Sequence, residues 1–319
     1  MEVIKMKFTL LKLTVNGYIT TRTRKIGNYY FSVTDYIPAT QLRGALLAEY
    51  YYQTRKIDQS FFSSPAFPID SAPAHYFSPA EGRKSREFVE EKGILRRKSE
   101  ELEKQGKTLR EVLKLKGEKK PKIGAIIKRK ESNKDETRYS HFNSESFISM
   151  HVTIEKTLAS SYHRMLYAYE YKRFDTLWAI AKPSEVIDVI KGNKIRLGRG
   201  KNRTNALIIV DVISEIDLPE PHGLSYCLSQ CIPSLFGKQL FTVGKADGRS
   251  IIIGSTSIYA GWFTNDKISG QKPSFRTLSE GTLVFVKDKG SYSEVFPAGL
   301  NFMLGIDDLD SLLQKVSVK

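Results

Sequence analysis

A chain of 319 residues, 40% of them hydrophobic, holds material for about two domains at roughly 100 to 200 residues each. Its formal charge of +15 implies an anionic partner, because a positive field attracts phosphate polymers and releases their counterions. No apolar run approaches the roughly 20 residues of a membrane helix, and Met1 to Leu13 alternates apolar and polar residues instead of forming a signal-peptide core. These features exclude a membrane partner of the spanning kind and predict a cytoplasmic protein.

Phe8, Leu10 and Leu13 alternate with polar neighbours, and the β-branched residues through Thr20 predict one long first strand. Pro38 blocks helix before itself and Thr40 can cap a helix begun after it, so Leu42, Ala45, Leu46, Glu49 and Tyr50 predict a helix over 41–53. Prolines 65, 68, 73 and 79 then mark irregular or edge-strand structure. From Glu81 to Arg138 the chain has 20 Lys plus Arg against 12 Asp plus Glu, a surplus of eight. A stretch this charged and poor in aromatics predicts a helical arm or mobile insertion, solvated on its surface.

Order resumes near Phe147. Met165 to Ala181 reads as strand or paired strands, and Pro183-Ser184 starts a short helix carrying Val186, Ile187 and Ile190 that Gly192 ends. Strands over Lys194–Leu197 and Ala206–Ile213 flank a glycine loop. Strand, helix, strands, helix, strand is the βαββαβ order of a ferredoxin-like fold, the sheet also used by RNA-recognition modules. Beyond Asp217, a helix over Tyr226–Leu235, strands over Ser250–Ile258 and Thr282–Val286, and a helix over Ile306–Val316 predict a second, degenerate unit of this kind. The fold class is therefore α+β, with a first domain over 1–213, its insertion at about 81–138, and a second domain over 214–319. Cys227 and Cys231 stand one turn apart and are read as core packing on a shared helix face rather than as a disulfide or zinc site.

Two segments carry chemistry. In Ile195-Arg196-Leu197-Gly198-Arg199-Gly200-Lys201-Asn202-Arg203 the glycines let backbone N–H groups approach an anion, and three arginines and a lysine supply charge and bidentate phosphate geometry. It lacks the Gly-Lys-Ser/Thr ending of a Walker loop and the third glycine of a dinucleotide fingerprint; a plain basic hairpin turn is the competing reading. The second segment is the start of the first helix, where Arg43 and Gly44 lie near the positive end of the helix dipole. A glycine inside a helix costs about 1 kcal/mol relative to alanine, so either a ligand or a neighbouring strand approaches there.

Ile37-Pro38-Ala39-Thr40-Gln41-Leu42-Arg43-Gly44-Ala45-Leu46 resembles the first-helix segment of the CRISPR-associated RAMP proteins, and Leu197 to Arg203 resembles their glycine-rich loop. Gly261-Trp262, Pro273 and Glu280 to Phe285 resemble the closing strand region of the two-domain members. The sequence departs from the pattern at Ala39, where glycine is usual, and at Thr204-Asn205-Ala206, where the loop usually ends in glycine. The layout is most similar to the Cas-five-like subunit of type III effector complexes, type III-D form. That resemblance implies two ferredoxin-like folds, a grip on the 5′ tag of the crRNA by Arg43, Gly44, Arg196 and Gly198 to Arg203, and contacts with the large polymerase-like subunit and the RAMP backbone subunits. It implies no catalytic duty and no cofactor.

Two rivals stay open. His141, His151 and His163, near Lys156, Tyr162 and Arg164, could run general acid–base cleavage of RNA if they converge. Alternatively, the basic insertion docks an acidic protein. The aspartate that cleaves target RNA in backbone RAMPs precedes the first helix; Asp35, three residues before Pro38, stands too close to match and is read as support for the turn or the helix entry. No paired carboxylates with a histidine cluster point to a metal. Tyr29, Tyr30 and Phe31, and Tyr50 to Tyr52, could stack on splayed bases or fill the core.

Overall fold

The computed structural model describes residues 5–21, 23–82, 86–104, 108–115, 121–155, 160–198, 206–264, 269–271, 273–305 and 309–317. The elements used below are strands β1 (Lys5–Asn16), β2 (Tyr18–Ile19), β3 (Thr23–Ile26), β4 (Tyr29–Ser32), helix α1 (Ala39–Thr54), β5 (Phe67–Pro68), β6 (Ser71–Pro73), β7 (Glu87–Glu91), α2 (Ile94–Glu103), α3 (Leu109–Val112), β8 (Ile126–Ser132) and β9 (Glu136–His141). They continue with β10 (Glu145–Glu155), β11 (Ser160–Arg173), β12 (Thr176–Ala181), α4 (Glu185–Ile190), β13 (Lys194–Arg196), β14 (Leu207–Pro219), β15 (Gly223–Cys227), β16 (Ser234–Leu235), β17 (Lys238–Gln239), β18 (Thr242–Val243) and α5 (Leu309–Ser317).

Alternation in β1 builds the central sheet. Leu11, Leu13 and Val15 leave one face, Phe8 and Leu10 the other, and every one of them is buried. The sheet order is β13-β14-β1-β12-β5, antiparallel throughout. With α1 after β1 and α4 after β12, this is the βαββαβ ferredoxin-like arrangement that the sequence predicts, extended by β13 at one edge. Helices α1 and α4 cover the Leu11 face through Leu42, Leu46, Tyr50, Val186, Ile187 and Ile190. The first strand is shorter than expected, because Gly17 takes φ 81° and breaks it ahead of β2. Pro38, not Thr40, occupies the N-cap of α1, and no side chain caps it.

The other face of the sheet does not meet water. Phe8, Leu10, Trp178, Ile180 and Leu218 pack into one core with Tyr226, Phe296 and Phe302; the Phe8 and Phe302 rings meet edge-on at 5.1 Å. Strand β14 runs unbroken through position 213 to Pro219, carrying the first unit into the second.

Residues 81–138 correct the expectation of an arm or mobile insertion. Their described residues form α2, α3 and three strands of the sheet β6-β8-β9-β7, with Phe88, Leu95, Val112, Ile127 and Tyr139 buried. By itself the segment is too charged to form a globule, but its apolar side chains are buried jointly with the C-terminal half. Leu224 N donates to Ser99 Oγ at 3.0 Å, and the Tyr226 hydroxyl donates to the Pro73 carbonyl at 2.6 Å.

The predicted helix over Tyr226–Leu235 is strand β15 followed by extended chain. Leu228 N bonds the Phe302 carbonyl and Cys231 N the Leu278 carbonyl, so neighbouring strands take the backbone groups a helix would have used. Cys227 and Cys231 are buried packing residues, but on no helix; burial pushes the Cys231 thiol up. The predicted strand over Ser250–Ile258 is broken into short pieces. Among the described residues beyond Pro219, helix is confined to a 3-10 turn at Tyr292–Ala298 and to α5.

Candidate nucleic-acid interface

The two motif segments, more than 150 positions apart, meet at one buried residue, Thr20. From α1, Gln41 Nε2 donates to the Thr20 carbonyl at 2.6 Å. From the other side Gly198, at φ +88°, lies so close that a Cβ on it would stand 3.0 Å from Thr20 Oγ1 and 3.1 Å from its carbonyl oxygen. Glycine is thus demanded at 198 by both conformation and space. Leu197 N donates to the Ala206 carbonyl at 3.0 Å and closes the base of the loop between β13 and β14. Arg196 is exposed beside it. Arg199, Gly200, Lys201, Asn202 and Arg203 lie outside the described residues.

Arg43 is engaged by its own chain. Its Nε donates to the Phe61 carbonyl at 2.7 Å and an Nη to the Gln59 carbonyl at 3.0 Å. Desolvation lowers its pKa, opposed by the nearby Asp58. Gly44 is exposed, and a Cβ built there meets open space; packing within the chain does not explain its glycine. At the entry to α1 a cavity of about 240 Å3 is lined by Thr21, Tyr36, Thr40, Gln41, Tyr259 and Glu280 among others.

A second surface adjoins the first. Strands β10 and β11 form a long hairpin that joins β4 and β3 in one sheet, with β2 pairing at its base through Ile19 and Lys172. The register sets Phe147 opposite Tyr171, Ser149 opposite Tyr169, His151 opposite Tyr167, and Tyr169 beside Tyr30, all on one face. Tyr30 stacks on Tyr169 at 4.7 Å, His151 on Tyr167 at 5.3 Å, and Lys25 Nζ lies 5.7 Å from the Tyr30 ring centre. His151 Nε2 is buried with no hydrogen-bond partner among the described residues. The reverse face exposes Ile26, Tyr29, Ile148, Met150, Val152 and Leu166. Of these rings only Tyr30 stands among the stacking candidates of the sequence; Phe147, Tyr167 and Tyr169 do not. The period-two run Tyr167-x-Tyr169-x-Tyr171 was the available signal. Of the other aromatic candidates, Tyr29 and Phe31 stack on each other at 6.3 Å, Tyr50 is core, and Tyr52 is exposed.

Asp35 ties this hairpin to the first unit. It accepts from Ser144 N at 3.2 Å and Ser144 Oγ at 2.5 Å, and pairs with Lys172 at 3.3 Å. That is the supporting role expected of it, directed to strand rather than to helix.

The two candidate histidines whose side chains are described do not gather. His141 lies on β9 and stacks on Phe88, with its pKa lowered by burial and by Lys122; His151 lies on β10 in a different sheet. The His163 side chain falls outside the described residues. A further buried cluster holds β7 in place. Phe77 N donates to His75 Nδ1 at 3.1 Å, and His75 Nε2 lies 3.2 Å from Glu90 Oε2; Ser78 Oγ donates to the same oxygen at 2.5 Å. Among the described residues no group of three or more His, Cys, Asp and Glu could hold a metal ion, and no helix is long and apolar enough to cross a membrane.

Fold and site together define an α+β chain built on a ferredoxin-like sheet, with Gly198 lodged against its first βα connection. No protein-family model and no curated protein matches the sequence. Among solved structures, a chain of the type III-B Cmr-beta assembly bound to cognate target RNA aligns over 95% of this chain and 100% of its own, with a TM-score of 0.53 at 14% identity. Another, from Cmr-beta bound to cognate target RNA and AMPPnP, aligns over 86% of this chain and 85% of its own, with a TM-score of 0.46 at 12% identity. At 14% identity the first of these establishes a shared fold.

Proposed function

We propose that this chain is a non-catalytic, guide-RNA-binding structural subunit of a type III CRISPR effector complex. Its grip on the crRNA backbone near the 5′ tag comes from Arg196 and Gly198 to Arg203, with the RNA passing the open surface at Gly44. Arg43, whose guanidinium is already bonded to Gln59 and Phe61, shapes that surface and keeps part of its charge for a phosphate. The large polymerase-like subunit and the RAMP backbone subunits are its protein partners.

The observation that carries this reading is the meeting of the two motif segments at Thr20. A basic loop and a helix start that are remote in sequence share one buried support, which suits a surface that must hold a fixed shape while contacting a flexible polyanion. The aromatic face of the hairpin, rooted at Ile19 just before Thr20, adds stacking to phosphate contact.

The test is the triple variant Arg199→Ala, Lys201→Ala, Arg203→Ala. Each lost phosphate contact removes about 0.7 from the slope of log affinity against log salt for a single strand, so the slope should flatten by about 2. An unchanged slope removes the loop from the interface. The purified protein should also leave labelled precursor RNA intact, and metal-independent cleavage would replace this reading with a ribonuclease.

A further inference from the structure

The hairpin of β16 and β17 ends in Phe236 at φ 50° and Gly237 at φ 81°. Two consecutive positive φ values are the geometry of a type I′ turn, which asparagine followed by glycine satisfies. A bulky phenylalanine in the left-handed region is strained. Its ring is also 85% exposed, more than any other large hydrophobic side chain among the described residues. The position is thus unfavourable twice over in the free chain, by conformation and by solvation, and none of the ring contacts among the described residues involves it.

The stalk beneath it is well anchored. Leu240 N and Phe241 N both donate to the Pro233 carbonyl, at 2.8 and 3.2 Å, and Gln239 Nε2 donates to the Phe241 carbonyl at 2.5 Å. Leu240 and Phe241 are buried in the core. Lys238, the only cation in the hairpin, is paired with Glu294 at 2.5 Å, an interaction that raises the acidity of Glu294. The tip is therefore an apolar ring on a stiff stalk with its local charge cancelled. Stacking on RNA bases works beside cations that track the phosphate backbone, and the one cation of this hairpin is already paired, whereas an aromatic anchor entering a dry pocket is a common source of protein–protein affinity.

We infer that Phe236 is a docking knob whose ring enters an apolar socket on a neighbouring protein subunit. This inference rests on the proposal that the chain works inside a multi-subunit assembly. The turn holds the Cα–Cβ bond of Phe236 away from the body of the hairpin, so the backbone share of the ordering cost is met before the partner arrives.

The test places the photo-crosslinking analogue p-benzoylphenylalanine at position 236 of the tagged full-length chain, expressed with its native neighbours, and purifies the assembly through the tag. The expected product is a light-dependent, ribonuclease-resistant adduct whose peptides identify another subunit of that assembly. A ribonuclease-sensitive adduct, an adduct of two copies of this chain, or no adduct from an assembly that does contain guide RNA would each overturn the inference. Recovery of the chain without RNA or other subunits would overturn the proposed function and this inference with it. A second variant, Phe236→Asn, separates docking from folding. Asn-Gly is the preferred pair for this turn, so the variant's own thermal midpoint should hold or rise, while retention of the crosslinked subunit through a salt wash should fall several-fold. Unaltered retention would refute the knob.

Discussion

Gly198 lies so close to Thr20 that a methyl group there would stand 3.0 Å from Thr20 Oγ1 and 3.1 Å from its carbonyl oxygen, and that same carbonyl accepts from Gln41. A residue from the strand–loop boundary thereby fixes both the start of α1 and the start of the basic loop.

Replacing Gly198 with alanine should accordingly cost about 1–3 kcal/mol of stability, from the positive φ and from the contact with Thr20 together. Urea denaturation measures it. The same variant should weaken guide-RNA binding without altering any charge, because the loop no longer leaves the sheet at the same point. Wild-type stability would show that Gly198 is not held as the structure has it.

The aromatic face makes a contrasting prediction. Tyr169→Ala removes the ring that stacks on Tyr30 and should lower RNA affinity by about 1–3 kcal/mol, the range for a base stacked on an aromatic side chain. The salt slope should stay that of the wild type, since no phosphate contact is lost. A flattened slope would mean that this face contributes charge rather than stacking.

His141 provides a pH dependence. Burial and Lys122 lower its pKa in the folded chain, so the unfolded chain binds the proton more readily. Stability from this group is complete where the imidazole is neutral in both states and is lost as pH falls through the ordinary histidine range toward the lower folded value. His141→Gln should flatten that part of the profile in thermal melts between about pH 7.5 and pH 5. A profile identical to wild type would assign the acid loss to other groups.

Much of the first unit was legible in the sequence because period decided it. Leu42, Leu46 and Tyr50 lie on one face of α1, and Leu11, Leu13 and Val15 on one face of β1, as their spacing requires. Where two structures share a pattern, period failed. Tyr226 to Leu235 is a short apolar run that suits helix or buried strand equally, and the backbone partners at Leu278 and Phe302 that settle it are far along the chain. The charged segment misled for a different reason: composition counts charges, whereas folding depends on Phe88, Leu95 and Tyr139 finding a surface elsewhere. The candidate site divides likewise. Loop and helix start were visible as motifs, while nothing in Thr20 itself announced that they meet there.

The jointly built core bears on the order in which this protein can come into being. Phe8 is made long before the ring it packs against, Phe302, and β1 waits for β14, whose residues Leu207 to Pro219 pair with it from far along the chain. Contacts of such sequence separation are slow to form. A nascent chain therefore carries one wet face of its central sheet until almost all of these residues have left the ribosome.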